Sequence, residues 1–312
     1  MSRKVAIRST DLMVNPVGLG TNAVGGQKYY PHMTDDAGRK ILHAALEEGI
    51  DFWDTAYTYG PKRSEEIIGE VLEETGRRQD VVLASKAAHE TIDGKTTFNN
   101  SPSFLKQAVE DSLKRLRTDY IDLFYIHFPD EVTPKYEAIG ALKELKDEGK
   151  IRAIGVSNFS LQQLEEANQD GYVNVYQGKY NLLDRSIEQS ILPYTLEHDI
   201  SFVPYFPLAS GLLAGKYDES TSFAEGDLRL KQADFQGERF KAILRKVEQL
   251  RDIAVEKEVE VAQLVLAIYL HHKAIDVIIP GAKKAEQITH NARTATIKLS
   301  KDEINKIYDI FS

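Results

Sequence analysis

The chain has 312 residues, 42% of them hydrophobic and 28% charged, with a formal net charge of −9 and no cysteine. That length can bury a large core, and the negative balance argues against a broad nucleic-acid or acidic-lipid surface. The lack of cysteine excludes disulfides and thiolate chemistry, and no apolar run nears the roughly 20 residues that cross a bilayer.

The opening MSRKVAIRSTDLMV has charges but no apolar leader core, so a cytoplasmic protein is expected. It reads as a short hairpin placed to close the floor of a barrel. Strand candidates then alternate with helical stretches. VGLGTN (17–22) leads to the helix TDDAGRKILHAALEEG, with a Thr/Asp cap in front and Gly49 behind. IDFWDTA (50–56) precedes SEEIIGEVLEETG, and VVLASK (81–86) precedes SPSFLKQAVEDSLKRLR. IDLFYIH (121–127) is followed by PKYEAIGALKELKDEG, and IRAIGVS (151–157) by SLQQLEEANQDG. VNVYQGKY (173–180), ISFVPYF (200–206) and DVIIP (276–280) complete eight runs. The pattern predicts one (β/α)8 barrel over residues 1–312, with a C-terminal helix. A doubly wound sheet would want G-x-G-x-x-G after its first strand, and GLGTNAVGG lacks that spacing. Two connections, 87–102 and 207–240, are long, and both follow strand C-termini, where a barrel keeps its active site.

The last positions of the runs are polar: Asp54, Lys86, His127, Ser157 with Asn158, Gln177 and Tyr205. Singly, Asp54 reads as a helix cap, Lys86 as a rim lysine, His127 as a satisfied core histidine and Tyr59 as a loop aromatic. Four such residues at one end of neighbouring strands instead suit proton transfer. A phenol with a pKa of about 10 is a poor acid catalyst near neutrality. A nearby ammonium favours phenolate, a carboxylate behind the lysine keeps it charged and aimed, and a histidine can hold a carbonyl oxygen. Carbonyl reduction also needs hydride, which no side chain supplies, so a nicotinamide cofactor is required. Metal chemistry is disfavoured, because no H-E-x-x-H is present and HETID and HFPDE lack ligand spacing. A Schiff-base lyase using Lys86 is the competing enzyme reading, and would need a desolvated lysine with a depressed pKa.

DTAYTYG, ASK, YIDLFYIH, GKIRAIGVSNFS and IIPGAK, in this order, resemble the aldo-keto reductases over essentially the whole chain. YNLLDR, PYFPLASGLLAGKY and FAEGDLR resemble the bacterial IolS-type, family-11 branch. The resemblance implies a barrel that binds NADP(H) in preference to NAD(H), with Asp54, Tyr59, Lys86 and His127 as the catalytic tetrad and Tyr59 as general acid. It implies cofactor contacts from Thr21, Asn22, Ser157, Asn158, Gln177, Tyr205, Phe206 and Leu208. Gly211, Leu212 and Lys216 would close over the pyrophosphate, and Gly281, Lys283, Gln287 and Asn291 would hold the adenosine end. Lys283, Gln287 and Asn291 fall at i, i+4, i+8, hence on one helix face. Where many members carry IPKS and a later arginine, this chain reads IPGAKKAEQ, leaving Lys283 and Lys284 as candidates for a 2′-phosphate. The substrate would be a small carbonyl compound, with Tyr29 and Phe128 as lining candidates beside Tyr30 and Phe98. Some barrels of this family instead serve as channel-associated subunits, but no assembly extension is evident here. A monomer is expected.

Overall fold

Alternation within each apolar run decides which side chains fill the barrel and which face the helices. The computed structural model describes residues 4–26, 30 and 32–312, and the backbone alone of Leu228. The predicted Tyr29 lies outside the described residues. Strands β1 (Val5–Ala6) and β2 (Met13–Val14) pair antiparallel as the expected floor hairpin. The chain then runs through β3 (Leu19–Gly20), α1 (Asp35–Glu47), β4 (Phe52–Asp54), α2 (Arg63–Thr75) and β5 (Val82–Ala87). Next come β6 (His89–Ile92), β7 (Lys95–Phe98), α3 (Pro102–Leu116), β8 (Ile121–Ile126), α4 (Lys135–Asp147) and β9 (Ile151–Ser157). The remainder is α5 (Leu161–Ala167), β10 (Val175–Lys179), α6 (Ile191–Glu197), β11 (Ser201–Tyr205), α7 (Gly237–Glu256), α8 (Val261–Leu270), α9 (Ala285–Arg293) and α10 (Lys301–Ile310).

Seven strands form one parallel sheet in the order β11-β10-β9-β8-β5-β4-β3. The eighth run closes it through isolated bridges, Ile275 to Phe202 on one edge and Ile278 and Gly281 to Val17 and Gly20 on the other. A full eighth strand does not form, because Pro16 and Pro280 have no N–H to give to the ladder. What remains is Gly18 N–H donating to Ile278 O, Gly20 N–H to Pro280 O, and Ile278 N–H to Pro16 O.

Phe52, Ala84, Leu123, Tyr125, Ala153, Val175, Val203, Val277 and Ile279 form an inner core, sealed below by Ile7, Leu12 and Val14 of the hairpin. Their sequence neighbours Trp53, Leu83, Phe124, Ile154, Tyr176, Phe202 and Ile278 belong to the larger core between sheet and helices. A strand's period of two therefore carries each inward row upward, from Phe52 to Asp54, Ala84 to Lys86, Tyr125 to His127, Val175 to Gln177 and Val203 to Tyr205. Gly155 lies on one such row, and a Cβ there would sit 2.3 Å from the Tyr125 ring.

The helices begin as their caps dictate. The side chains of Thr34, Ser101 and Ser160 accept the first orphan N–H groups of α1, α3 and α5, and Gly76 ends α2 with φ +66°. Neither long connection is structureless. Residues 89–98 fold back as the β6–β7 hairpin, whose two-residue turn is Asp93-Gly94, both with positive φ. The segment after β11 is organised by its own aromatic contacts, Tyr217, Phe223, Phe235 and Phe240 packing in sequence at 5.4–6.0 Å between ring centroids. Among the described residues no helix is long and apolar enough to cross a membrane.

Candidate active site

Over the inner core the inward rows end in one polar cluster. Lys86 Nζ donates to Asp54 Oδ1 at 2.5 Å and to Thr55 O at 2.7 Å, with 0% and 1% of the two charged side chains exposed. The second Asp54 oxygen accepts from Gln177 Nε2 at 2.9 Å. Burial pulls Lys86 below the usual lysine range, and the Asp54 carboxylate opposes that shift without reversing it. The carboxylate thus aims the lysine as expected, but desolvation is the larger influence on its proton. Lys86 is nevertheless poorly placed as a Schiff-base nucleophile, since a substrate carbonyl would have to reach an amine with no exposed surface and two acceptors already bound.

Tyr59 rides on the loop between β4 and α2. Its ring centroid is 5.4 Å from Lys86 Nζ, and its ring meets that of His127 edge-on at 6.4 Å. The loop is tied at both ends. Tyr57 N–H donates to Lys86 O, and Ser64 N–H donates to Tyr59 O. Thr55 Oγ1 donates to Ser64 Oγ, which in turn donates to Thr21. Gly60 has φ +86°, and a Cβ on it would lie 2.2 Å from Gly25 O, so the curl that returns Tyr59 over the barrel needs glycine there.

Two further groups complete the cluster. Tyr125, which sequence reasoning missed, stands fully buried below the tetrad, its ring also 5.4 Å from Lys86 Nζ. Burial, and then Asp54, push its phenol well above the ordinary value, so it stays protonated. Nδ1 of His127 is shielded and meets no partner among the described residues. Burial, then the Lys86 charge and His89, hold His127 well below the ordinary imidazole value, so the ring is neutral.

A stability prediction follows from that direction. Unfolded histidine takes up a proton near pH 6.5, whereas folded His127 resists until lower pH, so its contribution is complete above about pH 6.5 and declines as pH falls below it. Thermal melts from about pH 8 to 5 should show Tm dropping on the acid side, and His127→Leu should flatten part of that drop. An unchanged slope in the variant contradicts a buried neutral His127.

The expected cofactor residues divide. Ser157, Asn158, Gln177 and Tyr205 meet at the mouth: Asn158 donates to His127 O and Ser157 Oγ, both at 3.0 Å, and accepts from the Tyr205 hydroxyl at 2.7 Å. Asn158 holds φ +63°, a conformation this amide tolerates better than most side chains. Phe206 is 52% exposed and meets Tyr205 edge-on at 5.3 Å. Beyond it Leu208 is half-buried, and Ala209, Ser210 and Gly211 form a run of left-handed residues. Strain of this kind persists only where the surroundings enforce it. Lys216 is exposed, and its Nζ would sit 3.0 Å from a Cβ on Gly211.

Elsewhere the structure departs from expectation. Thr21 has no exposed surface and its hydroxyl donates to Asp54 O, so its side chain ties two strand ends together. Leu212 also has none, backbone included, and packs into the outer core, so the outward-facing stretch from Leu208 ends at Gly211. Lys283 precedes α9 rather than sharing a helix face with Gln287 and Asn291, because α9 starts at Ala285. Gln287 accepts from the N–H groups of Lys283 and Lys284, capping that helix. Lys283 Nζ stands 4.4 Å over the Tyr30 ring, while Asn22 donates to the Tyr30 hydroxyl and Gly281 lies exposed beside Asn22. Arg229, another residue the sequence did not single out, reaches this rim. It pairs with Asp227, donates to the Tyr217 hydroxyl and stands 4.3 Å over Phe223. Burial lowers Lys283, the charges of Arg229 and Lys216 lower it further, and Asp227 opposes the shift, so the three cations lie within electrostatic reach of one another.

This arrangement fits a long, doubly charged dinucleotide: amide donors and an aromatic ring near the tetrad, an open left-handed backbone segment, then converging cations. Known proteins point the same way. The sequence pattern of the Aldo/keto reductase family matches residues 16–311. The chain is 39% identical to the aldo-keto reductase YhdN of Bacillus subtilis over 91% of this chain and 86% of that one. It is 32% identical to the NADH-specific methylglyoxal reductase of Escherichia coli, over 96% of this chain and 95% of that one. Its fold superposes on the glycerol dehydrogenase AKR11B4 from Gluconobacter oxydans with a TM-score of 0.90, 33% identity, and 98% and 94% of the two chains covered. On these grounds the chain belongs to the aldo/keto reductase family, on its family-11 branch.

Proposed function

We propose that the chain works as one catalytic unit, a cytoplasmic monomer that reduces small aldehydes and ketones with NADPH and uses Tyr59 as general acid. The observation that carries this reading is the buried Asp54–Lys86 pair beneath Tyr59, with a neutral His127 alongside. The substrate carbonyl would lie between Tyr59 and His127. His127, being neutral, donates a hydrogen bond to the carbonyl oxygen without competing to protonate it. Tyr59 gives its proton to that oxygen, and the charge of Lys86 favours the phenolate left behind. The bound cofactor supplies the hydride that no side chain can.

Ser157, Asn158 and Gln177 would hold the carboxamide, and Tyr205 would support the nicotinamide ring. The backbone from Leu208 to Gly211 with Lys216 would take the pyrophosphate. Lys216, Arg229 and Lys283 would receive the 2′-phosphate, with Gln287 and Asn291 at the adenosine. One relative is named NADH-specific, so the preference for NADPH rests on this cation cluster. The names of relatives, a methylglyoxal reductase and a glycerol dehydrogenase, suggest small oxygenated substrates.

Two measurements test the reading. Nicotinamide absorbance should fall when protein, NADPH and a panel of aldehydes, quinones and sugars are mixed, and failure to bind either dinucleotide overturns it. Separately, Kd for NADPH should be at least roughly tenfold below that for NADH, and Arg229→Ala should narrow the gap by removing about one charge-assisted contact. Equal wild-type affinities would remove the claimed preference.

A further inference from the structure

The proton transfer described above uses one of two imidazoles at the barrel mouth. His89 opens β6, and its ring centroid is 5.4 Å from that of His127. Across the hairpin His89 pairs with Phe98, whose ring stacks on Phe128 at 4.9 Å and 5°. His89 meets both phenyl rings edge-on, at 5.0 Å and 5.5 Å. The hairpin therefore sets an apolar wall and a second imidazole beside His127.

The protonation of that imidazole follows from what surrounds it. Nδ1 of His89, like Nδ1 of His127, is shielded and has no hydrogen-bond partner among the described residues. A buried N–H without an acceptor is costlier than a buried lone pair without a donor, so each neutral ring carries its proton on Nε2. Burial alone lowers His89 from the ordinary imidazole value, which keeps it neutral at physiological pH. Each ring thus offers one N–H donor, on the side opposite its shielded nitrogen, and His89 as a residue is only half-buried.

The geometry points to His89 as a specificity-determining residue. Its Nε2–H binds a hydroxyl or oxo oxygen on the carbon next to the reacting carbonyl, while His127 binds the carbonyl oxygen itself. Two hydrogen bonds of about 2.9 Å, from rings this far apart, converge on oxygens of adjacent carbons. The stacked phenyl rings face the substrate's carbon side. The preferred substrates are then small 2-hydroxy or 2-oxo carbonyl compounds. This inference rests on the carbonyl reduction proposed above.

The test compares 2-hydroxypropanal with propanal, which differ by that one oxygen, in the wild type, His89→Phe and His89→Gln. The ratio of kcat/KM for the two aldehydes should favour 2-hydroxypropanal in the wild type and collapse roughly 10- to 100-fold in His89→Phe, as a site built to hydrogen-bond an oxygen loses its donor. His89→Gln, which keeps an N–H donor, should retain part of the ratio. A ratio unchanged in His89→Phe overturns the assignment, even if both rates fall together through lost packing. A wild type that reduces other carbonyl compounds but neither of these aldehydes also overturns the assignment. One that reduces no member of the aldehyde, quinone and sugar panel overturns carbonyl reduction itself. Both outcomes are visible before any variant is made.

Discussion

Tyr59→Phe should lower kcat for carbonyl reduction roughly 10²- to 10⁴-fold, the usual contribution of a positioned general acid, while leaving the Kd for dinucleotide unchanged. The size of the loss depends on whether another group can deliver the proton, and the surroundings offer none. Lys86 has no exposed surface and already donates to Asp54 and Thr55. His127 is neutral, and burial with the adjacent Lys86 charge opposes its becoming the imidazolium that could act as an acid. Tyr125 is buried below the tetrad and its phenol is pushed well above the ordinary value. The loop should keep its shape without the hydroxyl, because its ties run through the backbones of Tyr57, Tyr59 and Ser64 and the hydroxyls of Thr21, Thr55 and Ser64. Residual activity within tenfold of wild type, in a variant with unchanged circular dichroism and cofactor binding, would remove Tyr59 from the acid's role.

The strand-borne part of the cluster was legible because a strand's period of two is rigid, whereas Tyr59 lies on a loop that this period does not reach. Once the runs are read as buried parallel strands, the residue two beyond each inward apolar position must face the mouth, which picks out Asp54, Lys86, His127, Gln177 and Tyr205. The β6–β7 hairpin carries an equally plain local signal. Asp93-Gly94 between two short runs is a strong signal for a two-residue hairpin turn, but the polar text HETIDGKTTF looks like loop when only apolar content is weighed. Tyr125 and Arg229 were not readable in the same way. Tyr125 sits mid-run among apolar residues, and nothing in its own sequence says that an ammonium will come to lie above its ring. Arg229 belongs to a segment whose path is set by contacts among Tyr217, Phe223, Phe235 and Phe240, between residues as many as eighteen positions apart. Thr21 and Leu212 failed differently. They are polar or apolar as a cofactor contact could require, yet hydrogen bonding and packing turn their side chains inward.

Lys86→Met should abolish most activity and also destabilise the fold, and the two losses have separable causes. The activity loss, roughly 10²-fold or more, comes from removing the cation that favours the tyrosine phenolate. The stability loss comes from the partner left behind. Asp54 is 1% exposed, and without Lys86 its carboxylate keeps Gln177 but no charge. Breaking one side of a buried ion pair costs about 3–5 kcal/mol, whereas replacing both sides by neutral groups of similar size is often close to neutral. Urea unfolding should therefore show Lys86→Met well below wild type and the double variant Lys86→Met/Asp54→Asn partly recovered, although the double variant gains no activity. Denaturation shows whether the pair is charged when buried; turnover shows whether that charge is needed above it. If Lys86→Met is as stable as wild type, the buried pair is not ionised as described. If it turns over near the wild-type rate, the ammonium below Tyr59 does not drive the proton transfer.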